Sequence, residues 1–360
     1  MTAKLKTGDL VEVLSRDEIL ATLDETGCID RMPFMPEMLQ HCGKRYRVSA
    51  VAHKTCDSAH KTRGRRLLDA VHLEDLRCDG AAHGGCQATC LIFWKTAWLK
   101  RVDSTLPSAR VAAASGVSIE ALTAATQRVD ATTGKTLYTC QATQLYDATT
   151  LLPWWDVRQF WRDIRTGNVT ISRALRVLTV ATARSLTSSG IAHRVTFWLY
   201  DRVHRLLNGW PAPSGTGDLP MGQQTPECHL NLQTGESVRV KSHAEIKATL
   251  NTGSRNRGLW FDHEMVKFCG REYRVGGRVH NIIDEVTGEM LRMKQPCIVL
   301  EGVYCTAEYT SGRLLCRRAV STYWREGWLE RAQPSGEGTG AANLPDEPRM
   351  SATNVAARSR

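Results

Sequence analysis

"CGKRYRVSAVAH", residues 42–53, returns as "CGREYRVGGRVH" at residues 269–280. Each stretch opens on a cysteine, closes on a histidine and carries a Tyr-Arg-Val centre. The offset is 227 (269 minus 42), and it holds well beyond the quoted stretch. "SRDEILATL" at 15–23 answers "SHAEIKATL" at 242–250, "PFMPEM" at 33–38 answers "WFDHEM" at 260–265, and Asp57 answers Asp284. Roughly two in five positions are identical, far above the level of unrelated segments. The register runs on through Leu73, Glu74 and Cys78, which meet Leu300, Glu301 and Cys305. An insertion then shifts the offset to 230 (316 minus 86), so that Cys86 meets Cys316, while Trp94 and Trp98 meet Trp324 and Trp328. The chain reads as a duplicated domain.

Each copy reads as short strands around one helix. "DLVEV" and "SVRV" alternate apolar and polar residues, as half-buried strands do. "RDEILATL" follows Ser15 with Glu18 three residues on, a capping box that Ser242 and Glu245 repeat. "RYRVSAV", "AVHLEDLRC" and "WLKRV" are further strand candidates. One helix among about five strands predicts a small SH3-like barrel. The fold class expected is mainly β with α: two duplicated SH3-like β-barrels, each with one inserted helix, joined by a partly helical middle region. The boundaries follow as a first cysteine-rich repeat over 1–103 and an arginine-rich middle region over 104–212. A Pro/Gly linker over 213–230 then leads to a second repeat over 231–332 and a disordered tail over 333–360.

At 360 residues the chain exceeds one ordinary compact core. The opening "MTAKLKTGDL" has no apolar run behind its lysines, which argues against a secretory signal, and no stretch has the apolar length of a membrane span. A cytoplasmic location is expected. There, twelve cysteines are better read as thiols or metal ligands than as a disulfide framework. The formal charge of +10 permits an anionic partner without identifying one.

The Cys and His positions kept in both copies are Cys42, His53, Cys78 and Cys86, answered by Cys269, His280, Cys305 and Cys316. Three thiolates and an imidazole are the donor set of a closed structural zinc site. About one to two zinc ions per chain are expected on this basis. Small buried apolar roles for the same cysteines are the competing reading. Cys56, His83, Cys90 and Cys297 are alternative ligands. An iron–sulfur cluster, which needs about four thiolates, is a lesser alternative. The Gly-rich "DGAAHGGC" loop (79–86) reads as a turn, and a thiol–His nucleophile of Cys86 and His83 as a minor alternative.

The combination "PFMPEMLQHCGKRYRV", "HKTCD", "AVHLEDLRCDGAAHGGCQATCLIFWKTAWL", "RGLWFDHEMVKFCG" and "YWREGWLERA" resembles a family of uncharacterised bacterial proteins with a duplicated cysteine-rich SH3-like domain. The likeness covers both repeats and reaches into "WWDVRQFWRDIRTGN". It implies kinship and carries no reaction and no catalytic residue.

Between the copies, "ASGVSIEALTAATQRVD" predicts a short helix and "LYTCQATQLYDATT" a strand and turn. The segment from Trp154 to Arg205 mixes arginine with Trp, Leu and Val. Arg158, Arg162 and Arg165 fall on one helical face as a candidate anion-binding stripe. The competing reading has the Trp and Leu side chains docking onto the barrels. No phosphate loop, dinucleotide fingerprint, "HExxH" or nucleophile elbow occurs, so the chain leans away from catalysis. Glu37 and Glu264 recur without an obvious structural role. The leading expectation is a non-catalytic, metal-stabilised binding or adaptor protein with a protein partner. The alternatives are nucleic-acid or acidic-membrane binding through the arginines, or an unfamiliar zinc- or thiol-dependent enzyme.

Overall fold

In "DLVEV" every second side chain is apolar, and the strand it forms, β1 (Leu10–Val13), turns Val11 and Val13 fully inward. The coordinates, a computed structural model, describe residues 4–57, 59–60, 63–74, 76–102, 118–187, 193–213, 216–310 and 312–332. The tail expected to be disordered lies outside the described residues, as do positions 104–117 of the middle region.

After β1 come α1 (Arg16–Leu20), the short hairpin of β2 (Cys28–Ile29) and β3 (Met32–Pro33), and β4 (Arg45–Val51). A second hairpin, β5 (Lys54–Asp57) and β6 (Arg63–Arg66), is followed by β7 (Ala70–Leu73), β8 (Trp94–Lys95) and β9 (Leu99–Arg101). The main sheet has the order β8-β7-β4-β1-β9. Ser15 accepts from the Glu18 N–H and Glu18 closes the capping box, which fixes where α1 begins. The "AVHLEDLRC" stretch is a strand only as far as Leu73; beyond it Arg77 forms an isolated bridge with Leu91.

The middle region holds α2 (Ile119–Ala124), the hairpin β10 (Gln127–Val129) and β11 (Thr136–Tyr138), α3 (Gln141–Gln144) and β12 (Thr150–Leu151). "CQATQ", expected as strand and turn, is helical, because Thr143 Oγ1 accepts from the Cys140 N–H in the manner of a capping box. Three helices follow: α4 (Arg158–Arg165), α5 (Ile171–Thr187) and α6 (His193–Asn208).

The later part contains β13 (Ser237–Val240), α7 (His243–Lys247), β14 (Arg255–Asn256), β15 (Leu259–Trp260), β16 (Glu272–Ile283), β17 (Met290–Leu300) and β18 (Leu329–Arg331). Its main sheet runs β17-β16-β13-β18. Val11 stands opposite Tyr46 and Arg101; Val238 stands opposite Tyr273 and Arg331. Every pairing between these strands is antiparallel, so the protein is a mixed α and β fold of small antiparallel sheets.

Phe34 meets Trp98 edge-on at 5.1 Å in the first core, and Phe261 meets Trp328 at 5.3 Å in the second. Trp94, Trp98, Trp324 and Trp328 are all 0% exposed. Sequence reasoning places one ring of each pair nearer the surface. The structure corrects this, because both rings of each pair close the core against α1 or α7 residues such as Ile19 and Ile246.

Candidate functional site

The loop after Cys78 turns back on itself, and its glycines are what allow it. Gly80 sits at φ +73°, and a Cβ there would lie 2.0 Å from the Cys86 carbonyl oxygen. The Gly80 carbonyl accepts from the N–H groups of His83 and Gly85, at 3.1 and 2.9 Å. This fold-back lays His83 over Cys78: Cys78 Sγ is 3.2 Å from His83 Nε2. On the other side the thiol donates to Glu37 Oε1 at 3.4 Å, and the Gly80 N–H donates to Cys78 Sγ at 3.3 Å. Glu37 arrives from the turn Pro36–His41, just ahead of β4.

Glu37, Cys78 and His83 form the one group of His, Cys, Asp and Glu ligand atoms among the described residues close enough together to hold a metal ion. Burial pushes the Glu37 carboxyl above its ordinary range and the His83 imidazole below its own. Burial, and then the Glu37 charge, drive the Cys78 thiol far up. Each of the three shifts favours the neutral form. Glu37 Oε2 and His83 Nδ1 are buried without a hydrogen-bond partner. A cavity of about 40 Å³ adjoins the group, with Cys86, Cys90 and Cys140 also in its wall. Burial pushes the Cys90 thiol to about 12 and the Cys140 thiol to about 11.

The corresponding glutamate of the second repeat is differently placed. Glu264 is fully buried and accepts from the backbone N–H groups of Glu308, Tyr309 and Thr310 and from the Thr306 hydroxyl. Its carboxylate organises the loop that replaces "DGAAHGG". One repeated glutamate thus holds a loop through hydrogen bonds, while the other faces a thiol and an imidazole.

Of the first expected set, Cys78 is in this group and Cys86 lines the adjoining cavity, while Cys42 and His53 lie elsewhere. His53 Nε2 is 2.8 Å from Asp163 Oδ1, whose other oxygen pairs with Lys54 Nζ at 2.6 Å. A carboxylate from α4 is the partner of this imidazole. Cys42 packs at the margin of the first core. In the second set His280 is exposed and its N–H donates to Gln87, while Cys269 packs against the second core. Cys305 and Cys316 cluster with Cys56 from β5, and Cys297 stands by Arg325. Neither the second set nor the four thiols that Cys297 would complete with Cys269, Cys305 and Cys316 are therefore brought together among the described residues.

The pairing of Cys86 with His83 does not form, since Cys86 Sγ accepts from the Ile283 N–H and His83 meets Cys78 instead. Glu37 as a ligand candidate and Cys140 as a cavity residue went unread in the sequence. Glu37 recurs in both copies, which was the available signal; Cys140 carries no spacing that marks it.

Arg158, Arg162 and Arg165 all lie on α4. Arg158 is tied to Asp156 at 2.7 Å, Arg165 is exposed and Arg162 is half-buried. The expected docking of Trp onto the barrels does not occur for Trp154, Trp155, Trp161 and Trp198, all of which are exposed. Phe160 and Ile164 of α4 make the contact instead, packing with Val169, Ala174 and Val177 on Leu314 and Leu315.

No family model, curated protein or solved structure matches the chain. Its class is therefore defined by its own coordinates: a mixed α and β protein of small antiparallel sheets, with one Glu-Cys-His group, among the described residues, that could hold a metal ion.

Proposed function

We propose that the protein is a non-catalytic binding or adaptor protein, built from two SH3-like units that arose by duplication, the first of them stabilised by a metal ion. The equal registers of β1 with β4 and of β13 with β16 support the duplicated units. Glu37, Cys78 and His83 would hold the ion, and a thiolate, imidazole and carboxylate set suits zinc. The observation that carries the reading is the convergence of these three donors, with Glu37 Oε2 and His83 Nδ1 buried without a hydrogen-bond partner and His83 Nδ1 3.9 Å from Glu37 Oε1. Buried polar atoms rarely stay unpaired, and a cation would take up both the charge and the lone pairs.

The size of the cavity favours a structural role. Substrate pockets run to about 300–1,000 Å³, whereas the space here is about 40 Å³. Elemental analysis of the purified full chain tests the reading. Close to one zinc per chain is expected, lost in Cys78→Ser and in His83→Ala. Metal-free wild-type protein whose unfolding midpoint ignores a chelator would overturn it.

A further inference from the structure

Helices α5 and α6 pack side by side and bury one face each on the segment around residues 308–315. Ala174 and Val177 of α5 pack with Leu315, and Val180 of α5 packs with Tyr200 of α6 and with Tyr309. His204 of α6 bonds to the Tyr309 hydroxyl at 2.9 Å. The opposite face of α6 ought to be polar, and it is not. Val195, Trp198, Leu199, Val203 and Leu206 recur at helical spacing on that face and are exposed, Trp198 by 61% and Leu206 by 85%. Ile171 and Leu175 are exposed on the neighbouring α5, and Trp154, Trp155 and Trp161 lie exposed just before and on α4, which packs on α5. Solvent-facing apolar residues gathered in this way mark an interaction surface.

The α6 stripe carries one cation, and α4, which packs on α5, carries more. Arg202 lies within the apolar stripe, its guanidinium 5.9 Å from the Trp198 ring, and Arg162 and Arg165 stand on α4. Among the described residues none of the three has an acidic partner, whereas Arg173 pairs with Glu308 and Arg205 with Asp201. No described helix is long and apolar enough to cross a membrane, so a lipid contact here would lie along the surface. We propose that the outer face of α5 and α6, with the adjoining tryptophans, docks onto an anionic phospholipid surface. Leu, Val and Trp side chains enter the headgroup–acyl boundary while the arginines meet lipid phosphates. Self-association through this face would bring two arginine-bearing surfaces together. A nucleic acid would satisfy the arginines but offers no phase in which to bury Leu199 and Leu206.

The inference is independent of the metal reading and is tested on the full chain. Vesicles of phosphatidylcholine, with and without phosphatidylserine, are sedimented with protein while tryptophan emission is recorded. Retention on the serine-containing vesicles with a blue shift is expected, and none on the neutral ones. Arg162→Gln/Arg165→Gln/Arg202→Gln should bind roughly a hundred-fold more weakly. Trp198→Glu/Leu206→Glu should not bind. Arg165, Trp198, Arg202 and Leu206 face solvent and Arg162 is half-buried without an acidic partner among the described residues, so both variants should keep the wild-type unfolding midpoint, and the Gln variant alone suffices should the Glu variant misfold. Equal retention on both vesicle types, unaltered binding by the Gln variant, or no retention at all would overturn the proposal. So would a dimer, or a complex with duplex DNA, that forms through this face while vesicles are ignored.

Discussion

Cys78 Sγ lies 3.2 Å from His83 Nε2, and only the fold-back at Gly80 brings the two side chains together. Gly80 therefore sets the geometry that brings the Cys78 and His83 side chains together. Gly80→Ala would drive a Cβ into the Cys86 carbonyl and strain a left-handed residue, so the loop must open. The substitution should lower metal content in step with His83→Ala while leaving the β1 and β4 pairing intact. Metal analysis with hydrogen exchange on β1 and β4 amides checks both halves. Full metal content in Gly80→Ala would show that the loop does not set the group.

Variants of the two repeated glutamates should respond differently to chelation. Glu264 is acceptor to three backbone N–H groups, and Glu264→Ala leaves these donors buried without it, at about 1–3 kcal/mol for a group left unsatisfied. That loss should be the same with and without chelator. Glu37→Ala removes a proposed ligand and a buried carboxyl, so it should destabilise the metal-loaded protein and matter far less once metal is removed. Chemical denaturation of both variants in zinc and in chelator separates the cases. Identical responses would mean that Glu37 and Glu264 have the same role after all.

The paired tryptophans offer a test in which the repeats differ. Trp98→Ala and Trp328→Ala should each cost about 3–5 kcal/mol, the range for truncating a core Trp. Trp328 Nε1 donates to Thr249 Oγ1 at 3.0 Å, whereas Trp98 Nε1 is buried without a partner. Phenylalanine keeps a ring and removes the donor. Trp328→Phe should accordingly cost about 1 kcal/mol more than Trp98→Phe. Denaturant midpoints at unchanged slope measure the difference, and equal costs would contradict the assigned hydrogen bond.

Local pattern was readable where one residue's neighbours in sequence are also its partners in space. Val11 and Val13 alternate inward as their spacing demands, and the Ser15–Glu18 and Ser242–Glu245 boxes cap their helices. The candidate site was only half readable. His53 and His280 hold equivalent positions, yet one is buried against Asp163 and the other is exposed. The partner that decides His53 lies 110 positions away, in a segment with no repeat to announce it. Cys140 likewise reaches its cavity from the middle region. Repetition in the sequence marks matching backbone positions, as the equal registers of β1 with β4 and β13 with β16 show; it does not report which side chains have long-range partners.

Asp163 makes that long-range contact measurable. It is fully buried on α4, 2.8 Å from His53 Nε2 and 2.6 Å from Lys54 Nζ, and it accepts from Asn168 Nδ2 at 3.2 Å. Burial alone would raise its carboxyl, but the hydrogen bond from His53 and the Lys54 charge outweigh burial and hold it below the ordinary carboxylate range. A folded value lower than the unfolded one stabilises the fold fully above the unfolded carboxylate range. That contribution disappears as pH falls through the lowered folded value. Asp163→Asn leaves Lys54 buried without its counter-charge, so it should cost about 3–5 kcal/mol at neutral pH. It should also flatten the acid side of the stability profile, because no carboxyl remains there to titrate. Unfolding midpoints of wild type and variant, compared from neutral pH down into the carboxylate range, provide the check. Parallel curves with a constant gap would show that Asp163 carries no proton-linked stability, and a vanishing gap at neutral pH would show that the pair does not hold α4 to β5.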